Sequence, residues 1–186
     1  VLNVGVGNGH FERQAVQRGW EVHSLDPVAA ALAPLESLKV HAHVGLIERM
    51  PLADESCDCV VTSEVLEHLT EKQGKLALAE VVRVLRPGGL FLGTVPYHEN
   101  LAASQVICPH CGELFHRWGH HRSFDEASLH SELSSHFTMK TLRCTAFPGF
   151  RGRSLAGKTK SLIRIALAQC RQMIAIPSLY WCAARN

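Results

Sequence analysis

The stretch VLNVGVGNGHF, residues 1–11, joins a short apolar run to a helical one across three glycines. Val1 to Val4 read as a buried strand. Gly5, Gly7 and Gly9 form a G-x-G-x-G turn, after which Phe11, Ala15 and Val16 fall on one side of a helix. Seventeen residues beyond Gly9, a second strand-like run, EVHSL, ends in Asp26. Glycines let backbone approach a ligand closely, and the N-terminus of the following helix offers free N–H groups. An acid at the tip of the second strand accepts hydrogen bonds from ribose hydroxyls. Turn and acid together predict a nucleoside-cofactor site at the edge of a parallel sheet.

Outward from that unit, strand-like and helical runs alternate. The first three strands are read at 1–5, 21–25 and 40–44, with a helix near 28–38. CDCVVTS, residues 57–63, is a continuous apolar run of the kind buried on both faces. Thr70-Glu71-Lys72-Gln73 has the form of a capping box, and Leu78, Val81, Val82 and Leu85 share one face of the helix it starts. Pro87-Gly88-Gly89 stops that helix, and LFLGTV makes a fifth strand. DEASLHSELSSH (125–136) reads as a helix, FTMKTLRCTAF as a sixth strand and SLYWCAA as a seventh. A basic amphipathic helix over 155–176 lies between those last two strands. The pattern predicts one α/β domain over 1–186, a mostly parallel sheet with helices on both faces. It is broken by one insertion at roughly 105–122.

Composition narrows the class. At 186 residues, nearly half of them apolar, the chain can bury a real core. No apolar run is long enough to span a bilayer, and the first residues lack a signal-peptide pattern. Because the sequence begins inside its first strand, an upstream segment with an N-terminal helix is expected. Of seven cysteines, Cys57, Cys59, Cys144, Cys170 and Cys182 are scattered, mostly in apolar runs; only Cys108 and Cys111 are paired. This predicts buried thiols in a reducing cytoplasm. Charge is uneven. Residues 1–132 hold all seventeen acids against ten Lys and Arg, a net of −7, whereas 133–186 hold nine Lys and Arg and no acid. The basic end reads either as a surface for an anionic partner or membrane, through 155–176, or as a solvated face. No motif points to nucleic acid.

Taken in order, VLNVGVGNGHF, Asp26-Pro27, ERMPLADESCDCVVTSEVLEHL, EVVRVLRPGGLFLGTVP and HHRSFDEASL resemble the class I S-adenosylmethionine-dependent methyltransferases. The resemblance is to the broad small-molecule group called type 11, and it covers nearly all of the chain outside the insertion. It implies a Rossmann-like seven-stranded sheet, order 3-2-1-4-5-7-6, with the last strand antiparallel. It further implies that Gly5, Gly7 and Gly9 cradle the methionine part of S-adenosylmethionine and that Asp26 binds the ribose. Ile47 and Glu48 would lie against adenine, with Ser63 and Glu64 bordering the methionine end and the substrate. The implied reaction is methyl transfer to a small or anionic acceptor. Where the acceptor must lose a proton, His68, Tyr97 and His98 are candidate bases, His98 by its place after the fifth strand and His68 by its place after the fourth. Two positions depart from the family pattern: Asn3 and Leu46 stand where acids are usual, and the loss of one adenine hydrogen bond at Leu46 costs about 1 kcal/mol. Both lean towards a second reading, a catalytically weak or inactive binding module that docks on an anionic partner or membrane surface. A nicotinamide dehydrogenase is disfavoured by the missing later glycine, the EHL segment and the LRPGG stop.

Two further constellations carry metal chemistry. In CPHCGELFHRWGHH (108–121), Cys108, Cys111, His116 and His120 offer the N/S set of a closed tetrahedral zinc site. That predicts a structural zinc knuckle whose loop walls the substrate site, with His110 and His121 as alternative ligands. His120-His121-Arg122-Ser123-Phe124 also fits a family stretch near the substrate. Separately, Glu64, Glu67 and His68, spaced i, i+3 and i+4, share a face if helical and could hold a divalent metal, as in relatives with E-x-x-E-H; a helix-start signature is the blander reading.

Overall fold

The computed structural model describes residues 1–146, 154–169 and 177–186. The opening unit folds as read. β1 (Leu2–Val4) runs through the glycine turn into α1 (His10–Gln17), and β2 (Val22–Asp26) returns parallel to β1, with Leu2 opposite His23 and Val4 opposite Leu25. The next helix is shorter than read. α2 (Ala29–Leu32) gives way to a 3-10 turn at Ala33–Leu35, where Pro34 cannot donate a backbone hydrogen bond. β3 (Val40–Val44) then forms the edge beside β2.

The second half of the parallel sheet is built by β4 (Cys57–Ser63) and β5 (Leu85–Pro96), joined by α3 (Glu71–Val84). The capping box at the start of α3 is present in both directions: Thr70 Oγ1 accepts from the Gln73 N–H, and the Thr70 N–H donates to Gln73 Oε1 at 3.1 Å. Ala77, Leu78, Val81 and Val84 form its buried stripe. α4 (Glu126–Leu133) starts from a second capping box at Asp125 and leads into β8 (Phe137–Thr145). α5 (Leu155–Gln169) precedes β9 (Ser178–Arg185). The expected helix over 155–176 is thus described as far as Gln169; residues 170–176, with Cys170, lie outside the described residues.

The main sheet has the order β3-β2-β1-β4-β5-β9-β8, with β9 antiparallel to both neighbours. The numbers at the last two places differ from the expected 7-6 because the insertion adds a separate hairpin. Its strands, β6 (Gln105–Ile107) and β7 (Leu114–His116), pair only with each other. Under the antiparallel end the core closes on Trp181 and Phe91, both fully buried, with ring centroids 5.5 Å apart at 71°. A Cβ at Gly93 would overlap the Trp181 ring and the Thr62 carbonyl, so the small residue in β5 makes room for the indole.

β4 departs from expectation. Val60 and Thr62 are fully buried, but Cys59 and Val61 are half-buried and Ser63 is exposed. One face of this strand therefore packs into the core, while on the other Cys59, Val61, Leu92 and Tyr180 line an open cavity among the described residues.

Candidate active site

The site is assembled where β1, β2, β4 and β5 end. The chain leaves β1 at Gly5, whose N–H donates to the Leu25 carbonyl at 2.9 Å. Gly5, Gly7 and Gly9 all hold positive φ (82°, 55° and 70°). At Gly5 a Cβ would come within 2.9 Å of Val65 Cγ2, so conformation and packing both require glycine there. At Gly7 a Cβ would meet nothing within 4 Å, so this part of the turn faces open space. Gly9 is buried and caps α1.

Asp26 braces the turn. Its Oδ2 accepts the Val6 N–H at 3.0 Å and its Oδ1 the Val28 N–H at 2.9 Å. A carboxylate oxygen has two lone pairs, so each keeps one for a ligand. Asp26 forms the wall of a cleft of about 320 Å³ together with Gly5, Leu46, Ile47, Glu48 and Glu64. Gln73 reaches this cleft from α3, donating to Glu48 Oε1 at 2.7 Å. Gly7 and Ser63 line a different cavity, of about 520 Å³, which also touches Gly5 and opens onto the uncovered face of β4.

Behind the turn lies a polar network that sequence reasoning missed. Asn3 Nδ2 donates to Glu12 Oε1 at 2.7 Å, and Ser24 Oγ donates to the same oxygen at 3.0 Å. All three residues are buried, and Glu12 Oε2 has no partner among the described residues. The signal was Glu12 one turn before Ala15, on the face of α1 that packs inward.

Past β4 the backbone turns sharply. Glu64 has φ 54°, and its N–H donates to the Thr94 carbonyl at 2.8 Å. Leu66–His68 is a single 3-10 turn, so Glu64, Glu67 and His68 do not share one α-helical face as their spacing suggested. Glu64 lines the cleft, and burial raises its carboxyl above the usual range. Glu67 points inward, is fully buried, and is pushed up to about 8 by the same desolvation. The insertion folds over this turn. The N–H groups of His121 and Arg122 donate to the Glu67 carbonyl at 2.8 and 3.2 Å, and His68 Nδ1 lies 3.2 Å from the Gly119 carbonyl. Glu64, His68, Glu99, Trp118 and His120 then line a second, open cavity next to the cleft.

Residues 2–93 match the family described as methyltransferase domain. The malonyl-[acyl-carrier protein] O-methyltransferase of Serratia marcescens is 36% identical over 94 residues, which span 50% of this chain and 36% of that one. The chain spans about a third of the length of the first curated relatives it matches, 36% in each case. Among solved structures, a SAM-dependent methyltransferase of Methanosarcina mazei superposes with a TM-score of 0.70 at 17% identity, covering 98% of this chain and 90% of that one. The 1,6-didemethyltoxoflavin-N1-methyltransferase of Burkholderia thailandensis, solved with S-adenosylhomocysteine, gives 0.65 at 19% identity, covering 100% and 70%. The last two likenesses establish the fold.

The cleft brings several of the expected cofactor residues together. Asp26, expected to meet the ribose, keeps two acceptor lone pairs on the cleft wall, and Gly5, Ile47 and Glu48, expected beside the cofactor, line the same cleft. Leu46, the position that usually carries an acid, is exposed on the cleft wall. Asn3 does not leave the region without an acid, since Glu12 brings one from α1.

The metal set expected in the insertion is not assembled. In the hairpin, His116 pairs opposite Gln105, three residue pairs from the tip that carries Cys108 and Cys111. Neither Cys108 nor Cys111 falls in a group of three or more clustered ligand atoms among the described residues. His116 and His120 instead stack at 4.8 Å and face Glu99. The six described cysteines are all free. His98 lies apart from His68: it is exposed, has φ 50°, and packs its ring edge-on against Tyr97 at 4.4 Å.

Proposed function

We propose that this chain carries out S-adenosylmethionine-dependent methyl transfer to a small or anionic acceptor seated between Glu64, His68 and the insertion. One observation carries the reading. Glu64 and His68 form a wall common to the cleft that contains Asp26 and to the cavity that contains Glu99, Trp118 and His120. Ligands of open α/β sheets gather beyond the carboxyl ends of the strands, and this wall sits where β4 and β5 end. When bound, S-adenosylmethionine supplies a methyl carbon activated for in-line displacement.

The chain's part is to position both partners and exclude water. Asp26 and the glycine turn fix one, and Trp118 and Pro96 line the cavity for the other. Of the two imidazoles expected as bases, His68 stands in the shared wall. With its Nδ1–H engaged by the Gly119 carbonyl, its Nε2 keeps a lone pair. Glu64 and Glu99 line the cavity with carboxyl oxygens that can accept from hydroxyl or amine donors of the acceptor.

Calorimetry with S-adenosylhomocysteine, followed by transfer of labelled methyl to a panel of hydroxylated and amino acceptors, tests this. Binding of the nucleoside and labelling of at least one acceptor are expected. A folded chain that binds no S-adenosylhomocysteine overturns the reading.

A further inference from the structure

We propose that Glu21, His23 and His41 form a site for a divalent transition-metal ion at the β3 edge of the main sheet. None of the three lines the cleft or the acceptor cavity. Strand register brings them together. β3 is the last strand of the sheet and pairs with β2 alone. In this parallel pair His23 stands opposite His41, and Leu25 opposite His43. Opposite residues share a face, as do residues two apart, so one face of the edge carries His23, His41 and His43 side by side. The His23 ring stacks on His41 at 4.6 Å and on His43 at 5.4 Å. Glu21, just before β2, closes the group: its Oε1 lies 3.7 Å from His23 Nε2 and 3.8 Å from His41 Nε2. One ligand atom from each of Glu21, His23 and His41 lies within 4.8 Å of the others.

These separations are close to those of a coordination shell. Two ligand atoms about 2.1 Å from a tetrahedral ion stand about 3.4 Å apart. Glu21 is an exposed side chain, and its oxygen needs to shift by only a few tenths of an ångström to reach both imidazoles. His43 is a positioning residue. Its Nε2 lies 3.1 Å from His23 Nδ1. With the His23 proton on Nδ1 and donated to His43, Nε2 of His23 keeps its lone pair on the side of Glu21. A ligating imidazole is normally oriented by its other ring N–H in this way. Two imidazole nitrogens and one carboxylate oxygen suit a borderline divalent ion such as zinc and leave a position for water. An ion held there would tie β3 to β2 through side chains, at an edge whose backbone is paired on one side only. The site does not rest on the methyl-transfer reading.

Zinc titrated into the metal-free chain by calorimetry, with thermal unfolding followed by circular dichroism, tests the site. His41→Ala should remove one equivalent of bound zinc, and saturating zinc should raise the Tm of the parent more than that of the variant. His41 and Glu21 are exposed, so without metal both His41→Ala and Glu21→Gln should unfold within about 1–2 °C of the parent, which separates a lost ligand from a lost fold. Glu21→Gln should weaken the His41-dependent equivalent, and His43→Ala should weaken it roughly 10–100-fold, as for an orienting partner. The same equivalent should survive in a chain carrying Cys108→Ser, Cys111→Ser and His120→Ala, because His120 belongs to both of the other groups of clustered ligand atoms among the described residues. An unchanged count of bound ions in His41→Ala, or loss of the His41-dependent equivalent in the triple variant, overturns the proposal. So does a parent that binds no zinc, which leaves Glu21 a counter-ion to protonated imidazoles only.

Discussion

Replacing Asp26 by Asn tests the carboxylate as brace and as ligand group in one experiment. Asp26 accepts two backbone N–H groups, from Val6 at 3.0 Å and Val28 at 2.9 Å. Asn keeps one carbonyl oxygen and turns the other position into an N–H₂ donor, so one of the two N–H groups faces a donor. A hydrogen bond to a charged group contributes about 1.5–3 kcal/mol, and stranding a buried donor costs about 1–3 kcal/mol. The Val6 side of the pair is buried, while the Val28 side is partly open to water, so the amide will orient to satisfy Val6. The expected loss is then at the low end, about 2 kcal/mol. For a chain of this size that lowers Tm by roughly 4–8 °C, well short of unfolding it at 25 °C. Nucleoside binding should suffer separately, because the lone pair that would meet a ribose hydroxyl is the one converted to a donor. A loss of about 1.5–3 kcal/mol there is roughly 10–150-fold in Kd. Thermal unfolding by circular dichroism and calorimetry with S-adenosylhomocysteine read the two effects. An unchanged Tm refutes the brace. A lowered Tm with unchanged nucleoside affinity refutes the ribose role and leaves Asp26 a loop support only.

The two departures from the family pattern give predictions of opposite sign. Leu46 is exposed at the cleft wall, so Leu46→Asp should leave Tm within about 1–2 °C, as surface changes usually do. It should tighten S-adenosylhomocysteine about fivefold by supplying one hydrogen bond of about 1 kcal/mol; equal or weaker binding in calorimetry would count against the adenine end lying there. Asn3→Asp, by contrast, restores the usual acid yet should destabilise. It removes the donor that meets Glu12 Oε1 at 2.7 Å and sets a second carboxylate against the first. A loss of about 2 kcal/mol or more is expected by differential scanning calorimetry, and a rise in Tm would refute the coupling of Asn3 to Glu12.

What could be read from the sequence divides along the range of the interactions. The β1 turn, Asp26 at the end of β2 and the capping box at Thr70 and Gln73 were legible because each is closed by residues a few positions apart or repeated at one period. The halved burial of β4 was not legible, since an apolar run reads the same whether one face or both are covered. The insertion failed for a sharper reason. Its cysteines and histidines have the spacing of one zinc site, but spacing along a chain assumes that the loop closes on itself. Here β6 and β7 pair, which carries the cysteines out to a tip and leaves His116 and His120 at the base, beside Glu99 from the end of β5 and Glu67 from the end of β4. Both carboxylates come from the segments that follow β4 and β5, and no local pattern connects them to His116 and His120.

The same geometry says why Asn3 is a poor indicator of lost function. Its meaning depends on Glu12, nine residues on, which occupies the space behind the turn that an acid on β1 would need. With Glu12 fixed by Ser24 as well, only a donor at position 3 completes the network, so strand and helix form one choice that relocates the negative charge. A departure from a family pattern at a buried position therefore counts against cofactor binding only after the residues that contact it have been examined. At Asn3 those contacts show an acid still present, whereas at Leu46 the side chain is exposed on the cleft wall. If the proposed cofactor site is right, Leu46 should therefore cost more affinity than Asn3.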